Sequence, residues 1–329
     1  MKVELKDVLD ARRRLAPYVV RTPLIFSPGL SEHLGAKVWL KPEQWQLTGS
    51  FKIRGALNKM IGLSEAERAR GVITASAGNH AQGVALAAQF LGISALVVTP
   101  QNTPATKIAG IAHYGAEMQQ MGENYDQAES AAYDLARETG RVFVHAFEDA
   151  AVVAGQGTVG FELFEDQPDL DAIVVPAGGG GLMDGIGVVA RAISPLTEVI
   201  GVQSQASPAW RAAFDQGQVV DVDYGPTWAE GLLGAIGRGN FEIARHVVDG
   251  IDVVTEEAIQ EAMAWVLAEH HWVVEGSGAV GIADVLQPQI ADRWRGRRIA
   301  VIITGGNLDL SRLRQIVDRA EGFRGGGPK

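Results

Sequence analysis

The chain has 329 residues, 47% of them apolar, and a formal net charge of -10, enough length to bury one large core or two moderate ones. It carries no strongly basic run, which excludes nucleic acid and anionic membrane surfaces as partners because both need Lys/Arg patches to displace counterions; a small molecule is the expected partner. It has no cysteine, which excludes disulfides, thiolate metal sites and a cysteine nucleophile, and no apolar run nears the ~18 residues that span a bilayer, so a soluble cytoplasmic protein is expected.

Residues 3–16 place apolar side chains at helical spacing until Pro17 breaks the pattern. A strand over 36–42 stops at Pro42, and a helix starts at Phe51 with Ser50 as its expected N-cap, which puts Lys52 in the first turn. Strands over 71–76, 93–100, 116–122 and 141–147 then alternate with helices over 78–92, 104–115 and 124–139. The alternation resumes with a helix over 157–167, a strand over 171–178, a helix over 181–193 and a strand over 198–204. After a less regular 207–250 come helices over 255–271 and 276–287, a strand over 297–304 and a last helix near 309–321. The tail, GFRGGGPK, reads as mobile. This alternation predicts an α/β fold of right-handed βαβ units with open, mostly parallel sheets flanked by helices. No linker or repeat separates the units, so two intertwined lobes are expected.

Three strand-to-helix junctions carry residues with chemistry. Gly178, Gly179, Gly180 and Gly181 follow an apolar strand and open a helix; four residues without Cβ let several N–H groups converge on one anion at the positive end of a helix. Phosphate is the natural ligand, and a tight turn with no ligand is the alternative. GGGGLMDG approaches a dinucleotide fingerprint, but no acidic residue closes the strand over 198–204, and there is no Walker lysine. Ser76 and Asn79 stand at a second helix N-terminus, which suits a carboxylate or simply uses them as cap and first turn. Thr304 places a hydroxyl at the end of an apolar strand. The seven histidines have no metal-ligand spacing.

Pyridoxal phosphate requires this combination: an amine for its aldehyde, a phosphate cradle, a partner for its pyridine nitrogen and a seat for the substrate carboxylate. Lys52 is the candidate amine, since a nearby helix N-terminus disfavours the ammonium form and lowers its pKa.

The segments TGSFKIRGA (48–56), SAGNHAQG (76–83), AGQGT (154–158), PAGGGGL (176–182) and ITGGN (303–307), in this order, resemble the serine/threonine dehydratases among the fold type II pyridoxal-phosphate enzymes, a branch that includes the serine racemases. The likeness covers about residues 5–318. It implies a two-lobe, tryptophan synthase β-like fold: residues 1–52 and 146–329 form the cofactor-binding domain, 53–145 a smaller inserted one, with no C-terminal regulatory domain. It implies that Lys52 holds the cofactor aldehyde covalently and, once freed by substrate, acts as the base at Cα. Phe51 would pack by the ring, Asn79 would bond the ring hydroxyl, Gly178, Gly179, Gly180 and Gly181 would bind phosphate, and Thr304 would meet the pyridine nitrogen. Ser76, Ala77, Asn79 and His80 would form the substrate carboxylate loop.

Three departures narrow the resemblance. Ala77 stands where serine racemases carry a second acid/base serine, which favours elimination over racemisation. Gln203 and Ala209 stand where many relatives have acidic ligands, so no Mg²⁺ or Ca²⁺ is expected there. Ala128 and Ala235 align with polar residues of the racemases, so an apolar distal pocket is expected, one suited to threonine or to a bulkier substrate such as phenylserine. WAEGLLGAIG (228–237) and VVEGSGAVGIA (273–283) are also similar to the hydroxyectoine-utilisation dehydratases. The expected activity is pyridoxal-phosphate-dependent β-elimination of a β-hydroxy-α-amino acid such as L-threonine or L-serine, giving a 2-oxo acid and ammonia, by a homodimer. An amino-acid racemase is the rival within the family. Outside it the rivals are a nucleotide-dependent oxidoreductase, which leaves Lys52 without a role, and a non-catalytic binding protein on the same fold.

Overall fold

The computed structural model describes residues 1–322; the tail expected to be mobile lies, from residue 323 on, outside the described residues. The chain starts with helix α1 (Leu5–Leu15), which buries Val8, Ala11 and Leu15 on one face, followed by β1 (Ile25–Phe26), α2 (Pro28–Leu34) and β2 (Lys37–Pro42). Next come α3 (Lys52–Ile61), α4 (Glu65–Arg70), β3 (Val72–Ala75), α5 (Asn79–Leu91), β4 (Ala95–Thr99), α6 (Ala105–Ala112), β5 (Glu117–Gln120), α7 (Tyr125–Thr139) and β6 (Val142–Phe143). The chain then continues through α8 (Ala150–Asp166), β7 (Ala172–Pro176), α9 (Gly181–Ile193), β8 (Glu198–Ser204), α10 (Ala209–Gln216), α11 (Arg238–Val247) and β9 (Gly250–Val254). It ends with α12 (Glu256–His270), α13 (Gly276–Val285), α14 (Ala291–Trp294), β10 (Arg298–Ile303) and α15 (Leu310–Ala320).

The strands form two sheets, one ordered β5-β4-β3-β6 and the other β1-β2-β10-β7-β8-β9. All pairings are parallel except that of β1 with β2. Strand β7 and, after Arg298, strand β10 read as apolar runs because both faces of the larger sheet are covered. Side chains of α1, α8, α9 and α11 fill one face, and α12 and α13 fill the other. The smaller sheet packs Val72 and Ala95 against Ile53, Leu57 and Val84 from α3 and α5.

Strand β10 lies between β2 and β7, pairing Val301 with both Leu40 and Val174. The loop after β2, which leads into Lys52, therefore emerges beside Thr304, and Ser50 bridges Gly305 directly. The sequence expectation that Ser50 caps the helix does not hold: Phe51 occupies the cap position, and the Ser50 hydroxyl is buried without a partner.

The helix expected over 157–167 begins earlier, at Ala150, where the Asp149 carboxylate accepts the N–H groups of Ala151 and Val152. Its glycines look like helix breakers in sequence but serve close crossings. A Cβ on Gly155 would lie 2.5 Å from the Arg54 carbonyl of α3, and one on Gly157 would lie 2.9 Å from the Gly185 carbonyl of α9. The irregular 207–250 contains α10, a 3-10 turn at Glu230–Leu232 and α11. The strand β1 and the 3-10 turn are too short to print a clear period, whereas α11, with ten residues and one buried face, was legible and passed over. Among the described residues no helix is long and apolar enough to cross a membrane.

Candidate active site

A cleft of about 800 Å³ runs along the carboxyl ends of β3, β7 and β10, lined by Lys52, Ser76 to His80, Gly178 to Gly181 and Thr304, where open α/β sheets bind their ligands. Lys52 is the first residue of α3, so its side chain is set by how that helix is anchored. The anchor is Arg54, fully buried, which binds Glu43 after β2 at 2.8 Å and Glu162 of α8 at 2.7 Å; Glu162 also takes buried Lys41 at 2.6 Å. Lys52 Nζ donates to the Ala146 carbonyl at 3.1 Å and lies 5.2 Å from the centre of the Phe51 ring. Enclosure by protein pulls its pKa down to about 8, opposed in part by the Glu275 carboxylate.

The four glycines pass through a space with no room for side chains. Gly180 has φ 106, and a Cβ there would lie 2.6 Å from the Trp210 indole; one on Gly179 would lie 2.1 Å from the Phe147 ring. Trp210 donates its indole N–H to the Gly178 carbonyl, leaving the backbone N–H groups at the start of α9 free for an anion. Asp184 in the first turn of α9 does not oppose one. Burial pushes its carboxyl well above the usual carboxylate range, which disfavours the charged form, and it accepts the Asn240 amide at 2.6 Å.

The loop from Ser76 to His80 converges on the same cleft. Ser76 Oγ accepts the Gly78 N–H at 3.2 Å, which shapes the turn before α5. Asn79 Nδ2 donates to Glu275 Oε1 at 2.7 Å, and Asn79 Oδ1 accepts from Asn307 Nδ2 at 2.8 Å. His80 Nε2 bonds the Val144 carbonyl at 2.9 Å. Burial and the nearby Lys52 push the His80 pKa down to about 3, so the ring is neutral. Ala77 offers the cleft only a methyl group. Thr304 Oγ1 is buried and has no partner among the described residues.

One expected pocket residue lies elsewhere. Ala128 is fully buried on the face of α7 that packs against Ile73, Ala75, Leu96 and Val98; the face turned to the cleft presents Tyr125, Asp126 and Glu129 instead. Tyr125 donates its hydroxyl to Glu129 at 3.0 Å, and His145 stands 4.0 Å beyond. Ala235 does line the cleft, but the wall opposite α5 is polar where an apolar one was expected. A gapped alignment carries no helical phase, and an error of one position moves a residue about 100° around the helix. Gln203 uses its side chain structurally: its oxygen accepts the N–H groups of Trp210 and Arg211, and its nitrogen donates to the Ala177 carbonyl.

Sequence reading passed over Glu275, Asn307, His145 and Phe147, all of which line the cleft. Asn307 ends the segment ITGGN, and Glu275 sits at the cap of α13 before three small residues; both signals were in the string, without a partner to give them meaning.

The model of a family described as pyridoxal-phosphate dependent enzyme matches residues 15–305. The chain belongs to this family. This pyridoxal-phosphate enzyme is 44% identical over 318 residues to the L-threonine ammonia-lyase of Thermotoga maritima, covering 96% of this chain and 79% of the relative. It is 39% identical over 317 residues to the catabolic L-threonine dehydratase of Escherichia coli K12, covering 96% of each. Maize serine racemase has the same fold with a TM-score of 0.92 at 33% identity, covering 99% of this chain and 100% of that one. The arrangement is that of fold type II. The residues present fit the cofactor: a half-buried lysine with a depressed pKa, a glycine cradle at a helix start, and an unpartnered buried hydroxyl on Thr304.

Proposed function

We propose that this enzyme deaminates small β-hydroxy-α-amino acids, L-threonine and L-serine, to 2-oxo acids and ammonia. The observation that carries the reading is the Lys52 amine, with a pKa of about 8, in one cleft with the glycine cradle and Thr304. Gly178, Gly179, Gly180 and Gly181 would hold the phosphate, Thr304 the pyridine nitrogen and Asn79 the ring hydroxyl, with Phe51 beside the ring. The cofactor, when bound, supplies the aldehyde that condenses with the substrate amine and a conjugated ring that takes up the electron pair left at Cα.

The chain supplies the rest. Ser76, Ala77, Asn79 and His80 seat the substrate carboxylate at the start of α5, where the helix dipole favours an anion. Neutral His80 adds no charge and keeps Val144 and the loop in register. Lys52 Nζ takes the proton from Cα. The Cβ–O bond then breaks and the hydroxyl leaves as water with a proton that the phosphate seated at Gly178 to Gly181 would supply, balanced by the proton now on Lys52; the released enamine takes up water to give the 2-oxo acid and ammonia. Ala77 has no hydroxyl with which its own side chain could return a proton from the other face, which favours elimination over racemisation. The polar wall of Tyr125 and Glu129 removes the reason to prefer phenylserine. Residues 1–52 and 146–329 act in this reading as the cofactor domain, and 53–145 as a smaller domain whose closure excludes water. A cytoplasmic homodimer completes it.

The deciding assay gives the reconstituted enzyme L-threonine, L-serine, phenylserine and a hydroxyectoine-derived substrate, and measures 2-oxo acid and ammonia. Threonine and serine are expected to lead. Release of the enantiomer alone would establish the racemase instead. Lys52→Ala should lower turnover by at least about 100-fold and abolish the visible absorption band of the bound cofactor.

A further inference from the structure

Glu275 is a titratable side chain in the cleft to which the mechanism above gives no work. It stands at the start of α13, and its backbone N–H donates to the Gly305 carbonyl at 3.1 Å. Gly305 must lack a Cβ for the carboxylate to fit, since one there would lie 2.5 Å from Glu275 Oε1. That oxygen accepts from Asn79 Nδ2 at 2.7 Å. On the other side of the Asn79 amide, Asn307 Nδ2 donates at 2.8 Å both to Asn79 Oδ1 and to the Thr48 carbonyl.

The polarity of this chain is fixed from both ends. The Thr48 carbonyl can only accept, so Asn307 must turn its NH₂ group that way, and the atom of Asn79 that meets the same NH₂ group must be its oxygen. At the far end an ionised carboxylate can only accept, so the Asn79 nitrogen must face Glu275. One hydrogen of Asn79 Nδ2 is then spoken for, and the other is the uncommitted donor of the amide. With Glu275 lost, only the Asn307 end would hold the amide, and its N–H would no longer be pinned in place from both sides.

We propose that Glu275, with Asn307, is a positioning residue that locks the Asn79 amide so that it presents an N–H donor to the ring oxygen of the cofactor. This rests on the proposed placement of the cofactor ring hydroxyl at Asn79. The charged groups that act on Glu275 are Lys52 at the start of α3, Lys107 of α6 and Glu230 of the 3-10 turn. Burial holds the Glu275 carboxyl up at about 7, so the lock has a fully charged acceptor only well above pH 7 and weakens as the carboxyl takes a proton.

The test titrates pyridoxal phosphate into wild type, Glu275→Leu, Glu275→Gln and Asn307→Leu, recording the dissociation constant and the visible absorption spectrum from pH 6 to 9. Glu275→Leu is expected to weaken cofactor binding about tenfold, the loss of one charge-assisted hydrogen bond, and to shift the absorption maximum. Glu275→Gln, whose side-chain oxygen can still accept, should restore affinity and spectrum, but without the wild-type dependence on pH near 7. Asn307→Leu, which removes the other end of the lock, should shift the spectrum in the same direction. The proposal is overturned if Glu275→Leu binds and absorbs as wild type does, or if Glu275→Gln is as impaired as Glu275→Leu. Should Glu275→Leu fail to fold, the Gln and Asn307 variants decide on the same readouts. Because these are binding and spectroscopic measurements, they stand apart from the lyase reading: wild type that holds the cofactor at Lys52 yet yields no 2-oxo acid would end that reading and leave this test in force.

Discussion

At the scale of single residues, the enclosure of Lys52 has a consequence that can be measured. Its pKa falls from 10.5 to about 8, and only the neutral amine attacks an aldehyde. The rate at which cofactor-free protein captures pyridoxal phosphate should therefore rise about tenfold per pH unit in the range well below the pKa and level off above pH 8. Stopped-flow absorbance would follow this; a rate still climbing steeply toward pH 10 would mean that Lys52 titrates like a surface lysine. The sign also holds for stability. Below pH 8 both folded and unfolded chains carry the ammonium, and the cost of enclosing it is present in full. As pH rises from 8 towards 10.5, the folded chain gives up its proton first and that cost is relieved. Arg54 is the second case. It is fully buried between Glu43 and Glu162, so Arg54→Ala leaves two buried carboxylates without their shared cation. A loss of about 3–5 kcal/mol is expected, read from the urea midpoint at constant m-value.

At the scale of elements, the glycines of AGQGT position helices. They let α8 pass close to α3 on one side and to α9 on the other, and these are the helices that start at Lys52 and at the glycine cradle. A Cβ on Gly185 would lie 2.5 Å from the Val153 carbonyl and 2.6 Å from the Gly157 nitrogen. Backbone cannot swing aside as a flexible side chain can, so Gly185→Ala should cost about 1–3 kcal/mol and weaken cofactor binding as α9 is pushed outward. Thermal unfolding and cofactor titration on the same variant check both. Helix α7 is also instructive at this scale: its direction and length follow from the sequence, yet which face meets the cleft follows from the packing of Ala128 and Ala132 on the smaller sheet.

At the scale of the whole molecule, the mouth of the cleft is crossed by an ion triad. Lys107 of α6, beside the smaller sheet, reaches Glu230 at 2.9 Å, and Arg312 of α15, beside the larger one, reaches the same carboxylate at 2.6 Å. These side chains are partly exposed, so the triad adds little to stability: Lys107→Ala should change it by no more than about 1 kcal/mol. Its proposed effect is on closure of the cleft. The variant is expected to lower kcat/KM and to make it less sensitive to salt than in wild type, because screening has one fewer ion pair to weaken. Unchanged kinetics at every ionic strength would show that the triad plays no part in closing the cleft.

Much of this molecule is legible in its sequence because local rules govern it. The strand and helix alternation fixed the α/β class, since a strand buried on both faces and a helix with one apolar face leave different periods in the string. The same holds for Lys52, the glycine run and the Asn79 loop, each of which stands at the end of an element where backbone N–H groups and side chains are left over for chemistry. Two kinds of feature stayed hidden. Short elements such as β1 and the 3-10 turn at Glu230–Leu232 have too few residues to show a period, and glycines at helix crossings look like breaks because the partner helix that requires them is far away in sequence. The tertiary structure alone decided that Ala128 faces a core and Glu129 the cleft, and that Glu275, Asn79 and Asn307 form one hydrogen-bonded chain. Those three residues come from three different junctions, up to 228 positions apart. Local sequence determines what each junction can offer; only the placing of β10 between β2 and β7 determines which offers meet.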